Sequence, residues 1–156
     1  MNAKELLILN FQEVRRRSIK VWKGIPADCL HWRPDPGAMS CIEMVRHVLE
    51  SENIYHHIVL HRGGLGSFVS PLSNNPFSTV DAELQQAQPY REKFLQMVHG
   101  FTQKELDDIQ ITRQELNQHR KLGDYLLRIA YHESIHCGQL LDYLRTLQVP
   151  RPSVWD

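Results

Sequence analysis

The chain has 156 residues, 42% of them hydrophobic and 23% charged, and its eighteen basic and eighteen acidic side chains cancel at neutral pH. That length suits a single domain, residues 1–156, with a core of its own, and the apolar content excludes a disordered chain. The balanced charge argues against a surface built to follow phosphates, so nucleic acid is not an expected partner.

From the N-terminus, "MNAKELLILNFQEVRRR" places its charges after a short apolar run and has no small-residue cleavage site, so it reads as an amphipathic helix and not as a signal peptide. Leu7, Phe11, Val14 and Val21 recur at helical steps, which predicts a first helix over about 2–24. Arg15-Arg16-Arg17 on it is expected to be a solvated face. A loop punctuated by Pro26, Pro34, Pro36 and Gly37 follows. Ser40 with Glu43 forms a capping-box pattern, predicting a second helix from Cys41 to about Arg62, stopped by Gly63-Gly64. Residues 63–78 are rich in Gly, Ser, Asn and Pro, as in a long crossover or a lid.

A third helix is expected from near Thr79, with Val80, Leu84, Ala87, Phe94 and Val98 on one stripe and a kink or break at Pro89. Residues 100–121 are polar, with one short helix expected at Gln103–Asp108, and no segment shows convincing strand alternation. A last helix is predicted from Leu122 to Leu147. Four long amphipathic segments make the fold class all-α, a four-helix bundle with long loops. No stretch approaches the ~20 apolar residues of a membrane span. Three cysteines (Cys29, Cys41 and Cys137) without a secretion signal point to reduced thiols in a cytoplasm.

The chemistry concentrates in "YHESIHCGQLL", residues 131–141. His132 and His136 fall four apart on the stripe Tyr125, Ile129, His132, His136, Leu140, Tyr143, so both imidazoles can reach one metal ion. Core histidines satisfied by hydrogen bonds are the alternative. In the second helix His47 lies on the stripe Met44, His47, Ser51, Ile54, Ile58 and can face that pair across a bundle, leaving coordination positions open. His56, His57 and His61 lie off that stripe and are expected to pack against the loop.

His132, Glu133 and His136 also spell the H-E-x-x-H of zinc proteases, but Gly138 falls at the wrong spacing and neither His nor Glu follows downstream, so a protease is not expected. Glu133 is a weak candidate general base; turned about 100° from His132, it fits a solvent-facing or supporting carboxylate better.

"HESIHCGQLLDYLR" resembles the closing-helix signature of the DinB-like (damage-inducible) family, and "WRPDPGAMSCIEMVRHVLESE" resembles that family's first half. The resemblance implies a DinB-like antiparallel four-helix bundle, a divalent metal (zinc or nickel, with iron as a further candidate) on His47, His132 and His136, and a homodimer. It implies that Gly138 allows close helix approach and that Gln139 braces the site. It also implies thiol chemistry: a metal-dependent S-transferase joining a low-molecular-weight thiol to a small electrophilic substrate. A metal-water hydrolase and a non-enzymatic, stress-associated metal-binding bundle are the alternatives. For a thiol cofactor's carboxylates the sequence offers Arg33, Arg46 and Arg128, with nothing to separate them. Trp32, Phe68 and Phe77 are candidates to line the mouth, with ordinary loop packing the alternative. Cys41 lies in a first helical turn, where the dipole lowers a thiol pKa, but Cys41 and Cys137 are both expected to be buried structural cysteines.

Overall fold

The helices begin on the capping signals their sequences carry. In the computed structural model, which describes residues 1–156, α1 (Ala3–Lys23) starts from Asn2 and α2 (Cys41–His61) from Ser40, each closed by a reciprocal box with Glu5 and Glu43. α3 (Val80–Gly100) starts from Thr79, whose hydroxyl accepts from the Ala82 N–H, and the short α4 (Gln103–Asp108) from a Thr102–Glu105 box. α5 (Leu122–Thr146) closes the bundle. No helix is long and apolar enough to cross a membrane.

Side-chain pairs give the helix directions. Arg46 meets Glu83 and Glu52 meets Arg91, so α2 and α3 run the same way. Arg15 meets Glu133 and Ser18 meets Cys137, so α1 and α5 also run together, against the other pair. The implied antiparallel bundle is thus two parallel pairs packed head to tail. This topology obliges residues 62–79 to return along the full length of the bundle, and they are a crossover fastened to it. Arg46 donates to the carbonyls of Leu72 (2.8 Å), Asn75 (3.0 Å) and Pro76 (3.3 Å) and to Glu83, and Phe77 covers its guanidinium at 4.7 Å.

Two local expectations are corrected. α3 continues unbroken through Pro89, which lies on its exposed side, where water can take the carbonyl freed by the missing N–H. α2 ends where expected, just before the glycines, with Arg62 as its cap in the left-handed region (φ 55). Gly63 then passes so close to Thr112 that a Cβ would sit 2.8 Å from its carbonyl oxygen. Thr112 belongs to a hairpin the sequence did not announce, β1 (Gln110–Arg113) with β2 (Gln118–Lys121), pairing Gln110 with Lys121 and Arg113 with Gln118. Its strands are four residues long and mostly polar, with only Ile111 buried, too short for an alternation to register.

The core consists of two apolar clusters. One surrounds Trp22, Ile42, Leu49, Leu140 and Leu144; the other surrounds Phe11, Ile58, Phe94, Tyr125 and Leu126. Between them lies a layer of charge with one member from each long helix: Arg15, Glu52, Arg91 and Glu133, all at 8% exposure or less. Arg15 reaches Glu133 with Nε (2.8 Å) and Nη2 (3.0 Å) and Glu52 at 3.4 Å. Arg91 binds Glu52 and donates to the Phe11 carbonyl at 2.8 Å. Burial works against the charge on Arg15, but Glu52 and Glu133 outweigh it and raise its pKa. Arg15 is therefore a core residue, while Arg16 and Arg17 grip the C-terminal segment through the Asp156 and Val154 carbonyls. The basic triplet is not a solvated face.

Candidate metal centre

His47 faces α5 because it is turned about 100° from its neighbour Arg46, which is engaged on the α3 side. His132 and His136 stand one turn apart on the flank of α5 nearest α2. Both are half-buried, and the deeper stripe of α5 carries Glu133, Cys137 and Leu140. The ring nitrogens converge: His132 Nε2 lies 3.2 Å from His47 Nε2 and 3.1 Å from His136 Nε2. One potential ligand atom from each of the three lies within 4.8 Å of the others. Two bonds of 2.0–2.1 Å opened at a tetrahedral angle set their nitrogens ~3.3 Å apart, so the spacing is that of ligands around one ion.

The protonation states suit the same use. Gln139 Oε1 can only accept, so the 2.7 Å contact places a proton on His136 Nδ1 and turns Nε2 toward the other two rings. Burial, then the His136 charge, lowers the pKa of His47. Burial, followed by His136 and His47, pushes His132 down to about 4. At neutral pH His132 is thus a neutral imidazole with a nitrogen able to ligate. The cluster is able to hold a metal ion with three nitrogens and no carboxylate, a set that suits zinc, nickel, copper or iron(II) better than magnesium or calcium.

The other expected site residues are placed elsewhere. Glu133 is not part of the cluster; its two oxygens are taken by Arg15, on the side of α5 facing α1. This engagement replaces the general-base role offered from sequence. His57 is stacked between His61 (4.0 Å) and Phe68 (4.1 Å), the expected loop packing. Trp32 packs edge-on against Tyr143 and Phe77 lies on Arg46, so the three loop aromatics are engaged in packing. Cys41 is fully buried, and burial raises its thiol to about 11, overriding any pull from the helix end. Cys137 is likewise buried, and Gly138 is exposed with no atom of the chain within 4 Å of where its Cβ would stand, so it serves no helix approach inside the monomer. Sequence reasoning missed Tyr55, which stands beside His132 at 5.7 Å; it lies next to Ile54 on the α2 stripe and only the packed pair reveals it.

A helical bundle with an inter-helix three-histidine cluster is the class of protein these features define. The chain belongs to the DinB superfamily, whose family model matches residues 10–140. It is 25% identical over 143 residues to YjoA of Bacillus subtilis (strain 168), an uncharacterised protein, covering 90% of this chain and 88% of that one. The crystal structure of the DinB-like protein YjoA from B. subtilis superposes with a TM-score of 0.71 at 20% identity, covering 96% of both chains, a likeness of fold.

Proposed function

We propose that this chain is a divalent-metal-dependent enzyme that holds its ion on His47, His132 and His136, and that it transfers a small thiol to an electrophilic carbon. The observation that carries the reading is the convergence of three ring nitrogens at a half-exposed seam, which supplies three ligands and leaves room for a fourth from solution. A bound ion supplies positive charge that favours the thiolate form of a thiol, or the hydroxide form of a water, at the positions left open. The chain's own part is to orient the ligands, His136 through Gln139 and His132 against the Tyr55 ring, and to favour neutral His47 and His132 by burial. Untagged protein is expected to carry about one zinc, nickel or iron(II) per chain by mass spectrometry. His47→Ala and His136→Ala should each lose it together with thiol-dependent consumption of an electrophilic chromogen. Metal retained in both variants would refute the shared site; metal present with only hydrolysis observed would move the reading to a metal-water hydrolase.

The proposed partner is a second copy. The outer face of α5 exposes Leu127 (55%), Tyr131 (68%) and Ile135 (44%) beside the open Gly138. An antiparallel crossing of two such helices would set Tyr131 over Gly138 of the other copy, and Asp124 opposite the unpaired Arg145. Gly138→Leu should convert a dimer to a monomer in sedimentation analysis while leaving helicity and metal content unchanged. A monomeric wild type, or an unaffected variant, would dismiss this face.

A further inference from the structure

The structure separates the three arginines that the sequence left equivalent. Arg33 is paired with Glu43, and Arg46 is consumed by Glu83 and the crossover carbonyls. Arg128 has no acidic partner. This is unusual in this chain, because every other arginine that is at least half-buried has one: Arg15, Arg16, Arg17, Arg46, Arg91 and Arg113. A half-buried guanidinium without a counter-ion is costly unless something compensates it.

Arg128 is also held in place. Its Nη1 donates to Gln118 Oε1 of β2 at 2.8 Å, and its guanidinium carbon lies 5.3 Å from the Tyr125 ring and 5.8 Å from the Tyr55 ring. These contacts use one of five N–H donors and leave a planar fork of the kind that grips a carboxylate. Tyr55, in turn, packs against His132 at 5.7 Å, and Arg128 stands four residues, ~6 Å of rise, before His132 on α5. The cation and the histidine cluster therefore border the same α2–α5 seam, joined by one tyrosine ring.

We propose that Arg128 is the specificity residue of this seam, binding a carboxylate of the same small molecule whose donor atom takes the open position beside the three histidines. The inference rests on the metal reading above and adds a substrate class: thiols that carry a carboxylate a few atoms from sulfur are selected over neutral thiols. Gln118 and the two tyrosines position the guanidinium, and they tie the otherwise unexplained hairpin to the site.

The test uses the full chain loaded with cobalt(II), whose visible bands report ligand binding without turnover. Two ligand pairs are titrated: 3-mercaptopropanoate against 2-mercaptoethanol, and imidazole-4-acetate against 4-methylimidazole. In wild type the carboxylate-bearing member of each pair is expected to bind about tenfold more tightly, relative to its neutral counterpart, than it does in Arg128→Met. Arg128→Lys should keep part of that preference, and affinity for the neutral ligands should be unchanged in both variants. A preference that survives in Arg128→Met overturns the proposal. If only the imidazole pair binds and shows the effect, the thiol reading falls while the anion site stands. If no cobalt spectrum forms, the metal reading fails and the inference fails with it.

Discussion

Glu133→Ala is expected to lower the unfolding free energy by about 3–5 kcal/mol, because it leaves the buried Arg15 cation with only the longer contact to Glu52. For a domain of this size that corresponds to a fall in Tm of roughly 10 °C. Urea denaturation should show a lower midpoint with an unchanged slope, which marks lost stability and not a changed denatured state. The paired variant Arg15→Leu with Glu133→Leu should recover much of the loss, since removing both charges leaves neither stranded. Metal content should stay at the wild-type level in Glu133→Ala, because the carboxylate faces α1 and takes no part in the histidine cluster. A loss below about 1 kcal/mol would mean that water, and not Glu133, satisfies Arg15. Loss of metal from a folded Glu133→Ala would restore this residue to the site.

The second large effect is expected from metal removal and pH together. The two apolar clusters and the charge layer between them are complete without an ion, so chelation should leave a helical, folded chain. Restoring free metal to a thousandfold excess over its Kd should add about 4 kcal/mol of stability. A chain that unfolds on chelation would make the ion structural. In the metal-free protein His132 is held at about 4, below its ordinary value, by burial and by the neighbouring imidazoles. Between pH 6.5 and 4 the unfolded chain therefore binds a proton that the native chain refuses, and stability declines as pH falls through that window. His47, also lowered, acts with the same sign. The two-and-a-half-unit difference, discounted for partial exposure, amounts to on the order of 2 kcal/mol. Above pH 7 neither group contributes. Denaturation midpoints at pH 7, 6, 5 and 4.5 in chelator, for wild type and His132→Phe, would check this; equal slopes in both proteins would contradict it.

Much of the site was legible because its signals are local. His132 and His136 share a face by helical spacing alone, and Gln139 is within reach of His136 on the next turn. His47 was found from the apolar stripe around it. The capping boxes of α1 and α2 follow from residue pairs three apart, whose geometry needs no tertiary context. Glu133 and Arg15 were misread for one reason: on a helical wheel a charge adjoining the apolar stripe looks like the edge of the solvent face. Their partner lies 118 residues away in sequence, and no local pattern carries that distance. The same blindness hid the pairs Arg46 with Glu83 and Arg91 with Glu52, separated by 37 and 39 residues.

By itself the sequence determined the helical class, the ends of the long helices to within a few residues, and the three histidines as a set. Periodicity, caps and turn residues act over one or two turns of chain and are written there. Only the tertiary structure decided that α1 runs with α5 and α2 with α3, that residues 62–79 cross the bundle under the hold of Arg46, and that four charges meet between the apolar clusters. It also decided which arginine is left unpaired at the seam beside the histidines. These outcomes depend on long-range pairing, in which a buried charge is stable only when a partner from another helix arrives opposite it.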